Sequence, residues 1–250
     1  GAFDSGGQTA LGVQTENSRQ WFYIYTAQQR LESYYRLPVL AYERPVHSVG
    51  IVINGVKGGV TYMREPISGP NFAFTGYVYG GRKMSMGTFI HETAGHAFGL
   101  LGDEYSTSGF DPGQPFEIPD YEATRLRNEQ KKGWYLNLSL TSDPKSVYWA
   151  HLIGHPRYPY VGVLQGGYYY AFGVWRSESY SLMENSTNFY FNTICRELIV
   201  RRIMALTGEE YTFDKFLAKD SDKDRPNLSK SRSQQIKDQE RRHQPPIIGE

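Results

Sequence analysis

The centre of the chain reads HETAGHAFGLLGDEY over residues 91–105. This stretch combines two imidazoles and three carboxylates with small and apolar residues. Nitrogen ligands, an oxygen ligand and a general base beside a water molecule are the parts of a catalytic zinc site. A helix that buried two unrelated histidines would leave the carboxylate of Glu92 among apolar neighbours, which is costly. The stretch therefore predicts that His91 and His96 bind Zn²⁺ and that Glu92 is the catalytic base.

The spacing of the two histidines predicts a distorted helix. They are separated by five positions, and on a regular α-helix side chains five apart point about 140° away from each other, against about 40° for four apart. A π-bulge, with an i→i+5 hydrogen bond, absorbs the extra residue and realigns the two faces. Gly95 lies inside the stretch and eases such a distortion. We therefore expect a bulge between His91 and His96.

A catalytic zinc site needs a third protein ligand, and the sequence offers two candidates. Gly99 and Gly102 allow the chain to leave the helix sharply and to bring a carboxylate back to the metal. Asp103 is the first candidate for this ligand, and its neighbour Glu104 is the alternative. Either carboxylate would offset part of the charge of the dication and leave one coordination position for water.

Composition sets the broad class of the protein. The chain has 250 residues and a net charge of +1, and its apolar runs are too short for a membrane span. We therefore expect one large domain, or one with a small appendage, without a nucleic acid partner or a transmembrane segment. Changes in composition suggest three segments: an N-terminal loop at 1–16, a catalytic domain at 17–217 and a charged tail or linker at 218–250.

Hydrophobic periodicity predicts a mixture of helices and strands. The expected helices cover 18–37, 84–101, 121–133, 193–206 and 213–217. The expected strands are a central one within 47–54, a short one at 60–63 and an edge strand at 72–79. The fold class is therefore α/β in the broad sense, of the α+β type.

Several motifs outside the central stretch add a family resemblance. GGYY occupies residues 166–169, GVWR occupies 173–176, and YSLMEN occupies 180–185. Together with the stretch at 91–105, these motifs resemble the IgA-peptidase-like zinc metallopeptidases of the metzincin-like clan. The resemblance covers about residues 17–210. The chain departs from the usual metzincin pattern in having three residues, not two, between Glu92 and the second histidine.

The resemblance implies a metzincin-like zincin with a twisted mixed sheet, an active-site helix and a C-terminal subdomain. In such a fold a tight Met-turn would place Met183 beneath the zinc. Several metzincins use a tyrosine near this turn to stabilise the oxyanion. The position two residues after Met183 is Asn185, so a direct transfer of that role fails. Tyr180 and Tyr190 are the substitute candidates.

The implied activity is that of a secreted zinc-dependent endopeptidase. A zinc-activated water would attack the peptide bond, and Glu92 would take its proton and pass it to the leaving amine. The substrate would be a protein or glycoprotein of the immunoglobulin or mucin type, paired with the edge strand at 72–79. The resemblance also implies a secreted, cell-surface or periplasmic protein, although the sequence shows no signal segment. We expect a monomer.

Two other functions fit parts of the sequence. The first is a zinc-bearing but weakly active or inactive domain that binds peptide or glycoprotein through a surface drawn from its 20 tyrosines. The second is a cytosolic hydrolase of small amides, suggested by the single cysteine, Cys195. Loss of cleavage in a Glu92→Gln variant would separate the peptidase from the first, and cleavage of folded proteins would separate it from the second.

Overall fold

The computed structural model describes residues 14–15, 22–23, 45–53, 59–63, 70–76, 82–107 and 115–220. The chain divides into two compact units, one of Gly1–Phe98 with Ile248–Glu250 and the other of Gly99–Ile247. Helices and small sheets occur together, which confirms a mixed α/β protein. The metzincin-like topology and the segment boundaries at 16, 17, 217 and 218 stay predictions.

The first unit contains a mixed three-stranded sheet. Its strands are β3 (Ser48–Ile53), β4 (Gly59–Tyr62) and β5 (Asn71–Gly76), in the order β3-β5-β4. β3 pairs with β5 in parallel, and β4 pairs with β5 antiparallel. The predicted strands are confirmed where the structure describes them, with residues 77–79 of the third lying outside the described part, but the places of two strands within the sheet were wrong. β5 was expected at an edge and lies in the middle, while β3 was expected in the centre and is an outer strand of these three. Residues 71–73 and Thr75 of β5 are all buried, as suits a strand covered on both faces.

Two short strands correct the expectations for the N-terminal region. β1 (Gln14–Thr15) and β2 (Phe22–Tyr23) pair antiparallel. The first lies in the predicted loop at 1–16, and the second lies in the predicted helix at 18–37. Phe and Tyr favour strands, and in β2 this preference prevails over the helical spacing of the apolar residues. The remaining residues of both ranges lie outside the described part of the chain.

The central stretch forms the predicted helix with its distortion, although the helical part covers 82–98 and not 84–101. Helix α1 (Arg82–Ile90) continues directly into a π-helix, His91–Phe98. The π-helical part is therefore longer than a single bulge. β3 packs closely against it, since a Cβ added to Gly50 would lie only 2.8 Å from the side-chain atom Cγ2 of Thr93. The Asn71 side chain donates to the carbonyl of Ala97 at 2.8 Å and so satisfies a backbone acceptor near the end of the π-helix.

In the second unit, the described residues form an antiparallel sheet and three helices. Its strands are β6 (Leu138–Ser139), β7 (Leu164–Gly167) and β8 (Tyr170–Arg176), in the order β6-β8-β7. Its helices are α2 (Asp120–Lys131), α3 (Thr193–Thr207) and α4 (Phe213–Lys219), and a 3₁₀ turn covers Ala150–Leu152. The predictions for all three helices are confirmed to within two residues at each end.

Local signals explain the ends of α3 and the position of the core. The Asn192 side chain accepts from the backbone N–H of Cys195 at the start of the helix, and Gly208 ends it in the left-handed conformation at φ 74°. The apolar face of this helix packs into a core that includes Trp149, Leu152, Tyr158, Met183, Ile194 and Phe216. Among the described residues, no helix combines the length and apolarity needed to cross a membrane.

Asp220, three residues after the predicted end of the catalytic domain at 217, is buried. The guanidinium of Arg196 binds both carboxylate oxygens of Asp220, at 2.7 and 2.9 Å. The hydroxyl of Tyr158 donates to the same carboxylate at 2.8 Å. These contacts attach the end of α4 to the start of α3. Residues 221–250 of the predicted tail lie outside the described part.

Candidate metal centre

Three side chains from the central stretch lie close together. His91, His96 and Asp103 each offer one ligand atom, and these atoms all lie within 4.8 Å of one another. The imidazole centroids are 4.6 Å apart with the ring planes at 84°, and the three residues are only 7%, 9% and 6% exposed. The π-helix therefore brings together two histidines that a regular α-helix would separate.

The donor set fits a divalent metal ion. Bonds of about 2.1 Å can bridge donor atoms up to about 4.2 Å apart, so small side-chain rotations would close this group around an ion. Two imidazole nitrogens and one carboxylate oxygen suit Zn²⁺ and other first-row divalent ions. A buried cation would also compensate the carboxylate of Asp103, whose burial is otherwise costly. This group could therefore hold a metal, whose identity the donors do not specify.

Glu92, next to the first histidine, is held by strand β4. It is 6% exposed, and the Thr61 hydroxyl lies 2.6 Å from its Oε2 and 3.0 Å from its backbone carbonyl. Gly59 lies on the same face of the strand, two residues before Thr61. A Cβ added there would come within 2.4 Å of Glu92 Cγ and 2.5 Å of its Oε1. Gly59 therefore leaves room for the carboxylate, and Thr61 orients it.

The turn before Asp103 does not depend on a left-handed glycine, although the sequence pointed to Gly99 and Gly102. The left-handed residue is Leu100, at φ 58°, and not a glycine. Gly102 is needed for space, because a Cβ there would lie 2.6 Å from Leu138 Cδ1. The Asn137 side chain accepts from Gly102 N at 2.8 Å and donates to Gly102 O at 2.9 Å. This amide therefore holds the backbone immediately before Asp103.

Glu104 is directed into a buried polar network. Its Oε1 accepts from Asn137 Nδ2 at 3.0 Å and from Asn192 Nδ2 at 2.9 Å, and its Oε2 accepts from Asn192 at 2.8 Å. The thiol of Cys195 lies 3.5 Å from Oε1. Burial raises the pKa of Glu104, and the amide hydrogen bonds oppose this rise. Glu104 is not part of the group that could hold a metal, so the geometry favours Asp103 over this alternative ligand.

Met183 lies in a tight turn of the backbone. The backbone N–H groups of Glu184 and Asn185 both donate to the carbonyl of Ser181, and Met183 N donates to the Ser181 hydroxyl. The Met183 carbonyl accepts from Glu104 N at 2.9 Å, which links the turn to the residue after Asp103. The methionine side chain is fully buried in the apolar core. That this turn is a Met-turn beneath a metal stays a prediction.

The two tyrosines proposed to stabilise the oxyanion, Tyr180 and Tyr190, lie close to each other. The Tyr190 hydroxyl donates to Glu178 Oε2 at 3.3 Å, and the guanidinium of Arg196 lies 5.0 Å from its ring centroid. Burial and the Glu178 charge raise the pKa of Tyr190. The Tyr180 ring lies 6.4 Å from that of Tyr190, between centroids. Their role at an oxyanion stays a prediction.

Tyr169, which belongs to the GGYY motif but was given no role from the sequence, reaches one of the candidate ligands. The hydroxyl of Tyr169 donates to Asp103 Oδ2 at 2.5 Å. Burial and the Asp103 charge raise the pKa of Tyr169 well above its ordinary value. The signal in the sequence is its place two residues after the pair Gly166-Gly167, since glycine pairs of this kind mark tight turns. Thr61 and Gly59 carried no comparable signal, because their relation to Glu92 depends on strand packing.

Comparison with known proteins assigns the chain to no family. No protein-family model matches it, and no curated protein matches it with significant similarity. The resemblance to IgA-peptidase-like enzymes therefore depends on the motifs of the sequence.

Proposed function

We propose that this chain is a zinc-dependent endopeptidase. One observation carries the proposal: the ligand atoms of His91, His96 and Asp103 lie within 4.8 Å of one another. The buried carboxylate of Glu92 directly follows the first of these ligands in the chain. A group of two imidazoles and one carboxylate with an adjacent general base is the arrangement that metal-assisted hydrolysis requires.

The roles of the side chains follow from their chemistry. When bound, Zn²⁺ lowers the pKa of a coordinated water to about 7 and polarises a carbonyl group. Glu92 accepts the proton of the attacking water and delivers it to the leaving amine. The hydrogen bond from Thr61, at 2.6 Å, restricts the rotation of the Glu92 carboxylate and holds it ready for this transfer.

The strand that binds the substrate is reassigned to β4. The sequence suggested 72–79, but β5 lies between two strands and has both of its edges occupied. β4 is an outer strand of the three described strands, and its residue Thr61 contacts Glu92. An extended peptide added to this strand would have its backbone aligned beside the catalytic base. A protein or glycoprotein substrate of the immunoglobulin or mucin type belongs to the same proposal, as do secretion and a monomeric state.

The test combines metal content with cleavage. Purified chain is dialysed against Zn²⁺, its metal is measured by mass spectrometry, and cleavage of a mixture of folded proteins is profiled by proteomics. Glu92→Gln keeps the size of the side chain but cannot accept the proton. We expect this variant to retain one zinc per chain and to lose cleavage by at least about 100-fold.

An exposed carboxylate provides the control. Glu209→Gln removes a charge far along the chain from the central stretch and should cleave like the wild type. Unchanged cleavage in Glu92→Gln would contradict the role of this base. Stoichiometric zinc without any cleavage by the wild type would favour the alternative of a metal-bearing binding domain.

A further inference from the structure

The hairpin between β7 and β8 has an unusual tip. Its two connecting residues are Tyr168 and Tyr169, and both are left-handed, at φ 52° and 72°. Two-residue hairpin loops with positive φ at both positions normally contain Asn-Gly or a similar pair. Aromatic residues adopt this conformation at a conformational cost, and such strain often marks a functional site. The turn therefore holds two tyrosines in a backbone conformation that Asn or Gly adopts with less strain.

Backbone hydrogen bonds attach this tip to the segment that contains Asp103. The N–H of Tyr168 donates to the carbonyl of Asp103 at 2.8 Å, and the N–H of Tyr169 donates to the carbonyl of Tyr105 at 3.0 Å. The carbonyl of Tyr169 accepts from Thr107 N at 3.1 Å. These bonds need no aromatic side chain at either position, so they do not explain the choice of tyrosine.

The two hydroxyls have different partners. The Tyr168 hydroxyl accepts from the guanidinium of Arg125, at 2.9 Å from Nη2 and 3.2 Å from Nε. The Tyr169 hydroxyl donates to Asp103 Oδ2 at 2.5 Å. The tip therefore makes two hydrogen bonds to Asp103. The backbone N–H of Tyr168 binds its carbonyl, and the hydroxyl of Tyr169 binds its carboxylate.

We propose that Tyr169 is a positioning residue of the metal centre, whose hydroxyl orients the Asp103 carboxylate for binding the ion. A hydrogen bond to one carboxylate oxygen restricts the rotation of the group, so less conformational entropy is lost when the ion binds. Ligand carboxylates are commonly held in this way, and loss of such a bond typically weakens metal affinity by about 10–100-fold. The inference rests on the metal centre of the proposed function and does not require peptide cleavage.

The experiment measures zinc affinity by competition with a chromogenic chelator on the full chain. Tyr169→Phe removes the hydroxyl and keeps the ring, and we expect its dissociation constant for zinc to rise by about 10–100-fold. Tyr168→Phe is the matched control, because it removes only the hydroxyl that binds Arg125 and keeps the backbone N–H that donates to the Asp103 carbonyl. Its zinc affinity should equal that of the wild type. In the Co²⁺-loaded chain, the visible absorption bands should change in Tyr169→Phe alone.

Three results would overturn the inference. They are an unchanged affinity in Tyr169→Phe, an equal loss in both variants, and a wild type that binds no zinc. If Tyr169→Phe does not fold, Tyr169→Asn replaces it, since Asn adopts the left-handed region readily and lacks the phenol. The same weakening is expected there. A wild type that binds zinc but cuts no protein would refute the proposed peptidase and leave the role of Tyr169 in place.

Discussion

Replacing Glu178 by Gln should change how the stability of the protein depends on pH. Glu178 is 3% exposed, and its carboxylate accepts from Thr193 N at 2.7 Å and from the Tyr190 hydroxyl at 3.3 Å. Burial raises the pKa of Glu178 from 4.5 to about 7, against the opposing hydrogen bond from Thr193. Gln keeps the acceptor for Thr193 and nearly the same volume, but it carries no charge at any pH.

The sign of this pH dependence follows from the number of protons bound by the folded and the unfolded chain. Between pH 4.5 and 7 the folded chain keeps a proton on Glu178 that the unfolded chain has released. The free energy of unfolding therefore falls as the pH rises through this range, by about 1.4 kcal/mol per unit at most. Integrated from pH 5 to pH 8, the wild type should lose about 2.5 kcal/mol relative to Glu178→Gln. Above the folded pKa both states are ionised, so the difference levels off.

Urea unfolding followed by tryptophan fluorescence at pH 5 and pH 8 measures this difference. Comparing the two proteins at each pH cancels the contributions of all other titrating groups. The variant should be the more stable protein at pH 8, and most of its advantage should disappear at pH 5. An equal difference at both pH values would refute the assignment of a raised pKa to Glu178.

Two further predictions concern other carboxylates. Burial opposes ionisation of Glu197, but the hydrogen bond from His151 and its other partners outweigh burial and lower its pKa. Glu197→Gln should therefore cost about 2 kcal/mol at neutral pH, and the cost should shrink on acidification through the folded pKa, as urea unfolding at pH 7 and pH 3 would show. Thr61→Val should lower kcat/KM for peptide cleavage about tenfold by releasing Glu92, with zinc content unchanged. The control is Thr93→Val, because the Thr93 hydroxyl donates within the helix, to the carbonyl of Phe89 four residues back. Equal rates in both variants would exclude the role of Thr61.

The helices that the structure describes could be predicted from the sequence because their signals are local, whereas the helix predicted at 18–37 was wrong at β2. The side chain of Asn192 caps a backbone N–H three residues away, and Gly208 adopts the left-handed conformation that ends α3. The π-helix follows in the same way, since two ligands five positions apart can meet only if the hydrogen-bond spacing changes. Hydrogen bonds within a few residues determine all of these features.

The arrangement of the strands could not be predicted in this way. Alternating apolar residues identified β3, β4 and β5 but did not show that β5 lies between the other two. The order of strands depends on which segments find each other in space, and a local period carries no information about that choice. The expectation that β5 is an edge strand was therefore wrong.

The sequence by itself determined the candidate metal ligands, the distorted helix that contains two of them and the mixed α/β class. Only the tertiary structure decided which distant side chains hold the site. Thr61 meets Glu92 across 31 residues, and Tyr169 meets Asp103 across 66. Glu104 turns away from its neighbour because Asn137 and Asn192 offer it hydrogen bonds in the interior. Contacts of this kind arise when packed elements satisfy buried polar groups, and no spacing rule along the chain encodes them.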